Sequence, residues 1–246
     1  MKRAAAVTHI ALGAMLAFGA VRAPAGAETD LGILAAVLAG THSGADNPQP
    51  VSGVVPGALL EASQIWSRAR IHVEGFPQIN LNASSPGPLG TSSASLSLLN
   101  AEAQFDLDPR HRFRIGAGFQ VVNLSNFNGD NGDRDDSRVT SPLFTGIADL
   151  PVGHNRSVEL TLTDAPNVRG VLRITQINGA PRTPKPEQGG EVDYGASYAW
   201  HFPGATYLLG FRGLSYHTRN TDNGELVDRN VGAGLTFEAR FRFGRR

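Results

Sequence analysis

The stretch VGAGLTFEARFRF, Val231 to Phe243, divides residue by residue into two faces. Val231, Ala233, Leu235, Phe237, Ala239, Phe241 and Phe243 share one face, and Gly232, Gly234, Thr236, Glu238, Arg240 and Arg242 share the other. A period of two is the period of a β-strand. In a soluble sandwich the apolar face of such a strand looks at a core. In a membrane barrel it looks at lipid, and the polar face lines the lumen.

The same division recurs upstream. Ser95 to Asp108 sets Leu99, Ala101, Ala103, Phe105 and Leu107 against Asn100, Glu102, Gln104, Asp106 and Asp108. After Asp108-Pro109-Arg110, Phe113, Ile115, Ala117, Phe119 and Val121 oppose Arg112, Arg114, Gly116, Gly118 and Gln120. Glu191 to Phe202 sets Val192, Tyr194, Ala196, Tyr198, Trp200 and Phe202 against Asp193, Gly195, Ser197 and His201. Gln64 to Phe76 reads as one strand, with Ile65, Ala69, Ile71 and Val73 opposing Arg68, Arg70, His72 and Glu74. Connections near 77–93, 125–138, 179–190 and 219–229 are long and polar, and those near 108–110, 151–155 and 203–206 are short. Alternation of long outer loops with short periplasmic turns marks an outer-membrane barrel. Residues 156–177 keep this parity only as one strand with an irregularity at Asp164-Ala165-Pro166-Asn167. Val158, Leu160 and Leu162 then share the apolar side with Val168, Leu172 and Ile174. The count is eight, an all-β, antiparallel, up-and-down transmembrane barrel over residues 61–246.

The ends bound the rest. Lys2 and Arg3 precede a charge-free run from Ala4 to Ala20, and Ala25-Gly26-Ala27 offers a small-x-small cleavage site, so residues 1–27 read as a secretory signal peptide. Their removal takes away Lys2, Arg3 and Arg22 and no acid, turning a balance of 22 basic and 22 acidic side chains into a net charge of −3. That excludes a generally basic nucleic-acid binder. The absence of cysteine excludes disulfides and thiolate metal sites. No later apolar window is long enough for a transmembrane helix; Leu31 to Ala39 is about half the required length. Residues 28–60 lie outside the alternation and leave three choices open: a periplasmic lead-in, a small helix plugging the barrel, or an extra strand.

The expected lumen carries both signs: Arg68, Arg70, Glu74, Glu102, Asp106, Arg112, Arg114, Glu159, Arg169, Arg173, Asp193, Arg212, Glu238 and Arg240. Side chains fill the bore of an eight-stranded barrel, and buried ions are tolerated when paired. A lumen closed by Arg/Asp/Glu pairs is therefore expected, with a narrow small-solute channel as the alternative. The loop Asn126 to Asp136 is rich in oxygen ligands, but its spacing departs from the EF-hand and reads as a solvated turn-forming loop. His72, His111, His154 and His201 show no metal-ligand spacing, so neither metal nor cofactor is expected. Tyr194, Tyr198, Trp200, Phe202, Phe237, Phe241 and Phe243 are expected on the lipid face or in an interfacial aromatic girdle.

With its signal, its strand–loop parity and Gly234-x-x-Phe237-x-Ala239 near the C-terminus, the chain resembles the small outer-membrane β-barrel superfamily, the OmpA/OmpX-like eight-stranded barrels. Members usually end on an aromatic residue; here Gly244-Arg245-Arg246 follows Phe243. The resemblance implies an outer-membrane location after signal cleavage. It also implies a non-enzymatic envelope or loop-presenting role, a monomer, and contacts with outer-membrane lipid, lipopolysaccharide and the barrel assembly machinery. One segment admits an enzyme. Ser215-Tyr216-His217 with Glu225 downstream brings together the residue types of a nucleophilic site. It resembles the outer-membrane lipid A deacylases, whose motif is His-x-Ser-Asn; here Arg219 stands at the Ser position and Asn220 follows.

Overall fold

The computed structural model describes residues 27–44, 47–84, 91–128, 134–175 and 184–244. Residues 1–26, which hold nearly all of the expected signal peptide, lie outside them, as do residues 129–133 of the acidic loop. Ten strands follow in chain order: β1 (Glu28–Gly44), β2 (Asn47–Trp66), β3 (Ala69–Ser84), β4 (Thr91–Asp106), β5 (Phe113–Asn128), β6 (Arg134–Gly153), β7 (Arg156–Thr175), β8 (Lys185–Phe202), β9 (Ala205–Asn220) and β10 (Leu226–Phe243). Each pairs antiparallel with its sequence neighbours. β1 also pairs with β10, from Thr29↔Phe243 to Gly44↔Asp228, and this closes the ring.

The expected count of eight is corrected to ten. The two added strands come from 28–60, which forms β1 and most of β2 and is neither lead-in nor plug. The eight strands read from sequence are β3 to β10. Gln64 to Phe76 is not one strand. It turns at Ser67-Arg68, with Ser67 at φ 50, and Ile65 pairs with Arg70 on the same inner face. The other short turns lie at the same end as Glu28 and Phe243, and they too use left-handed residues: His111 (φ 57), Asn155 (φ 57) and Gly204 (φ 80). Parity survives because an even number was added.

Polarity is inverted relative to a soluble barrel. Phe105, Phe119, Phe144, Leu162, Leu235 and Phe237 are exposed on the outer wall, while Glu102, Asp106, Gln120 and Glu238 are buried inside. Phe237 points out and Arg240 lines the bore. That arrangement fits lipid outside and polar groups inside, and it removes the soluble sandwich. Strands of 16 to 20 residues exceed the 9–11 or so needed to cross a bilayer, so they project beyond the apolar belt at the end away from the short turns.

β7 is a single strand with an irregularity, as its sequence suggested, but the phase is not kept. Ala165 pairs with Glu191 and Val168 with Gly189, so the bulge inserts one residue. Every side chain beyond it changes face. Val168 and Leu172 turn inward, and Arg169 and Arg173 are exposed on the outside.

Candidate functional site: a two-part lumen

The half of the bore nearest the short turns is polar. Arg240 donates from Nη1 and Nη2 to both oxygens of Glu159 at 2.8 Å, bonds Glu238, and lies 3.8 Å from Glu61. Arg212 donates from Nε to Asp193 Oδ2 at 2.7 Å and lies 3.5 Å from Glu74. Arg114 donates to Asp106 at 3.0 Å, and His111 Nδ1 lies 2.6 Å from the same carboxylate. Arg242 donates to Asp30 at 2.9 Å. Arg70 shares this space and makes no ion pair with a described residue. These groups enclose a vestibule of about 430 Å³. Ten strands leave room for it where eight would not.

Three residues expected in the lumen lie elsewhere, besides the short-turn residue Arg112. Arg68 is exposed in the β2–β3 turn, and Arg169 and Arg173 face outward beyond the bulge. Arg112 belongs to the β4–β5 turn, where it donates from Nε to Asp108 Oδ2 at 3.0 Å. Asp108 Oδ1 also accepts from the backbone N–H of Arg112 at 2.6 Å and of Phe113 at 3.0 Å. Although partial desolvation raises it, these hydrogen bonds hold the Asp108 carboxyl at a pKa of about 2.

Beyond the vestibule the described residues place an apolar cluster in the bore, beside buried polar groups such as Gln120, Glu191 and Thr218. Leu143, Val122, Val139, Ala165, Val168 and Tyr216 form one buried cluster, with Leu98 against it. Leu143 is 1% exposed and Val168 0%. Periodicity had assigned no apolar residue to the inner face. β6 supplies Val139 and Leu143, β7 supplies Ala165 and, beyond its bulge, Val168, and β4, β5 and β9 add Leu98, Val122 and Tyr216.

Ser215, His217 and Glu225 do not assemble. Ser215 and His217 are exposed on the outer wall of β9, and Glu225 accepts from Asn223 in the β9–β10 turn. A different set meets inside. The tight β2–β3 turn puts Ser63 opposite His72, with Oγ and Nδ1 hydrogen-bonded at 2.9 Å. His72 Nε2 lies 3.8 Å from Glu74 Oε2, and all three line the vestibule. Ser157 Oγ and His201 Nε2 form a second pair at 2.8 Å. Among the described residues no cluster of three or more His, Asp or Glu side chains is arranged to hold a metal.

The aromatics form a band on the outer wall. Tyr198 meets Trp200 edge-on at 4.8 Å, Phe202 meets Tyr207 at 5.8 Å, and Tyr207 stacks on Phe237 at 6.4 Å.

A closed antiparallel barrel with an apolar exterior and a charged bore defines the fold of the bacterial outer-membrane β-barrel class. Among solved structures it is similar to the outer-membrane protease OmpT from Escherichia coli, with a TM-score of 0.54 and 11% identity over 88% of this chain and 96% of that one. The translocator domain of the autotransporter NalP from Neisseria meningitidis gives a TM-score of 0.46 and 11% identity over 97% and 98%. The β-domain of the Bordetella autotransporter BrkA gives 0.44 and 10% over 87% and 98%. At such identities the OmpT likeness is one of fold alone. No protein-family model and no curated protein matches the chain. The OmpA/OmpX resemblance therefore holds for the class and not for the strand number.

Proposed function

We propose that this protein is a non-conducting, non-enzymatic barrel of the bacterial outer membrane, a scaffold that presents its outer strand ends and loops. The observation that carries the reading is the buried Leu143–Val168 cluster, which packs apolar side chains of β5, β6, β7 and β9 into the bore beyond the vestibule. The outer wall supports the orientation. Beyond the apolar belt, Arg138, Arg169, Arg173, Arg219 and Arg229 point outward and are exposed. Such a collar suits the phosphates of lipopolysaccharide in the outer leaflet, and the aromatic band suits the opposite interface. Asp136 and Asp164 share that wall and limit its net positive charge. Export would use the N-terminal signal with cleavage after Ala27, immediately before β1.

Planar-bilayer recording tests the closed bore. The wild-type protein, checked for folding by heat-modifiable migration, should show no discrete conductance, and Leu143→Gly combined with Val139→Gly should show one. Discrete wild-type channels would overturn the reading and favour the small-solute channel.

A second reading, an envelope hydrolase, rests on Ser63, His72 and Glu74 in the vestibule rather than on His217. A serine, a base within hydrogen-bond reach and a carboxylate beside that base are the parts of an acyl-transfer site. A fluorophosphonate probe that labels wild type but not Ser63→Ala would favour it. Equal absence of label in both would remove it.

A further inference from the structure

Two buried amides above the vestibule use one end of their hydrogen-bonding capacity and not the other. Asn100 on β4 and Gln120 on β5 are direct cross-strand partners on the inner face. They are 3% and 1% exposed. Asn100 donates from Nδ2 to Glu74 Oε1 at 2.7 Å, and Gln120 donates from Nε2 across the bore to Glu191 Oε1 at 3.0 Å. Each bond fixes its amide. The nitrogen must face the carboxylate, which leaves the carbonyl oxygen of each amide as its unused acceptor. Asn100 Oδ1 and Gln120 Oε1 are buried and accept no hydrogen bond from the described residues. Two such acceptors on cross-strand neighbours call for a donor or a cation.

The charges nearby point the same way. Glu74, Glu191 and Asp193 surround this level, and Arg212 is the guanidinium bonded there, to Asp193 and Glu74. Glu191 is 8% exposed, hydrogen-bonded to Gln120, and in no ion pair with a described residue. Three carboxylates face one guanidinium and the His72 imidazole, which lies 3.8 Å from Glu74, so acidic groups outnumber basic ones here. The apolar cluster packs around this level: Ala165 and Tyr216 are the cross-strand partners of Glu191, and Val122 is the next inward residue of β5 after Gln120, which limits access of water. Uncompensated ions in such surroundings are costly.

We propose that Asn100, Gln120, Glu74 and Glu191 bind one calcium ion. Calcium takes roughly six to eight oxygen ligands from carboxylates and amide carbonyls in a flexible geometry. Two amide oxygens and two carboxylates offer that chemistry, and a cation suits a level where acidic groups outnumber basic ones. Half of the donors are neutral amides, which explains why no cluster of acidic and histidine side chains marks the place. The ion would enter through the vestibule, whose inner end includes Glu74 and Asp193. This site goes beyond the closed-bore reading and does not depend on it.

The test uses the full protein refolded in detergent without lipopolysaccharide, its fold checked by heat-modifiable migration. Titration calorimetry with calcium chloride should give one site per chain, and calcium should raise Tm relative to EGTA. Glu191→Gln keeps a group for Gln120 to bond while removing a charge, and Gln120→Met removes the carbonyl at similar volume. Each should weaken binding by at least about tenfold and abolish the Tm shift. If Gln120→Met does not fold, Glu191→Gln decides alone. No calcium binding by wild type at millimolar concentration would overturn the proposal. So would wild-type affinity in the folded variants, which would move the ion to the acidic 125–138 loop.

Discussion

Arg240 on β10 clamps Glu159 on β7 across the bore, each guanidinium Nη atom donating to one carboxylate oxygen at 2.8 Å. The same guanidinium also bonds Glu238 and lies 3.8 Å from Glu61, so one cation serves three carboxylates. Removing it leaves three acids in the bore without their cation, whereas removing Glu159 leaves Arg240 two remaining partners. Arg240→Met should therefore cost about 3 kcal/mol, the lower end of the range for breaking a buried ion pair. Glu159→Gln should cost distinctly less. Urea unfolding in lipid vesicles checks the order, and equal costs would show that the pair acts alone rather than within the group of three.

The direction of Phe237 makes a second prediction. It is 49% exposed on the outer wall between two inward residues, Thr236 and Glu238. If lipid lies there, Phe237→Arg should destabilise the vesicle-inserted barrel by about 2–4 kcal/mol while the protein still folds in short-chain detergent. A neutral effect in vesicles would place Phe237 outside the hydrocarbon region.

Much of this was legible in sequence because lipid and lumen impose opposite demands on alternate residues. β10 obeys that rule from Val231 to Phe243, as do β4 from Leu99 onward, β5 as far as Val121 and much of β8, and strand parity follows from loop lengths. The hidden parts have local causes. In β1, Leu34, Ala36 and Leu38 sit on the inner face beside Gly32, so the run Leu31 to Ala39 shows no alternation. Around Ser67-Arg68 the turn has only two residues, and polar and apolar residues continue to alternate through it. In β7, Val168 and Leu172 suit buried apolar clusters as well as they would suit lipid, so the one-residue bulge leaves no trace in the hydrophobic pattern. Ser63 and His72 were missed because only the turn's register makes them neighbours.

Gly213 on β9 lies beneath the ring of its cross-strand partner, Tyr194. A Cβ at Gly213 would stand 2.4 Å from Tyr194 Cζ and 2.5 Å from its hydroxyl oxygen. Gly213→Ala should push the ring away and disturb its tilted contact with Phe211, 6.3 Å between centroids. The loss should be about 0.5–1.5 kcal/mol. In a Tyr194→Ala background the same change should be neutral, because nothing remains to collide. A double-mutant cycle by urea unfolding reads this directly, and equal costs in both backgrounds would show the backbone, not the ring, to be the obstacle.

Asp108 sets a pH dependence whose sign follows from its bonds. Its carboxylate accepts from the Arg112 side chain and from two backbone N–H groups, which hold its pKa at about 2 in the fold against an ordinary value of 3.8. A depressed folded pKa stabilises the fold above the unfolded value, and that contribution disappears as pH falls through the folded value. The β4–β5 turn should therefore keep its full contribution above about pH 5 and lose it progressively toward pH 2. Carboxyl-carbon NMR of the detergent-folded protein should find Asp108 titrating near its folded value. Arg112→Ala should raise that midpoint toward the ordinary one, and because the backbone donors remain, the shift should be partial. A full return to the ordinary value would mean that the Arg112 side chain, not the turn's amides, holds the charge.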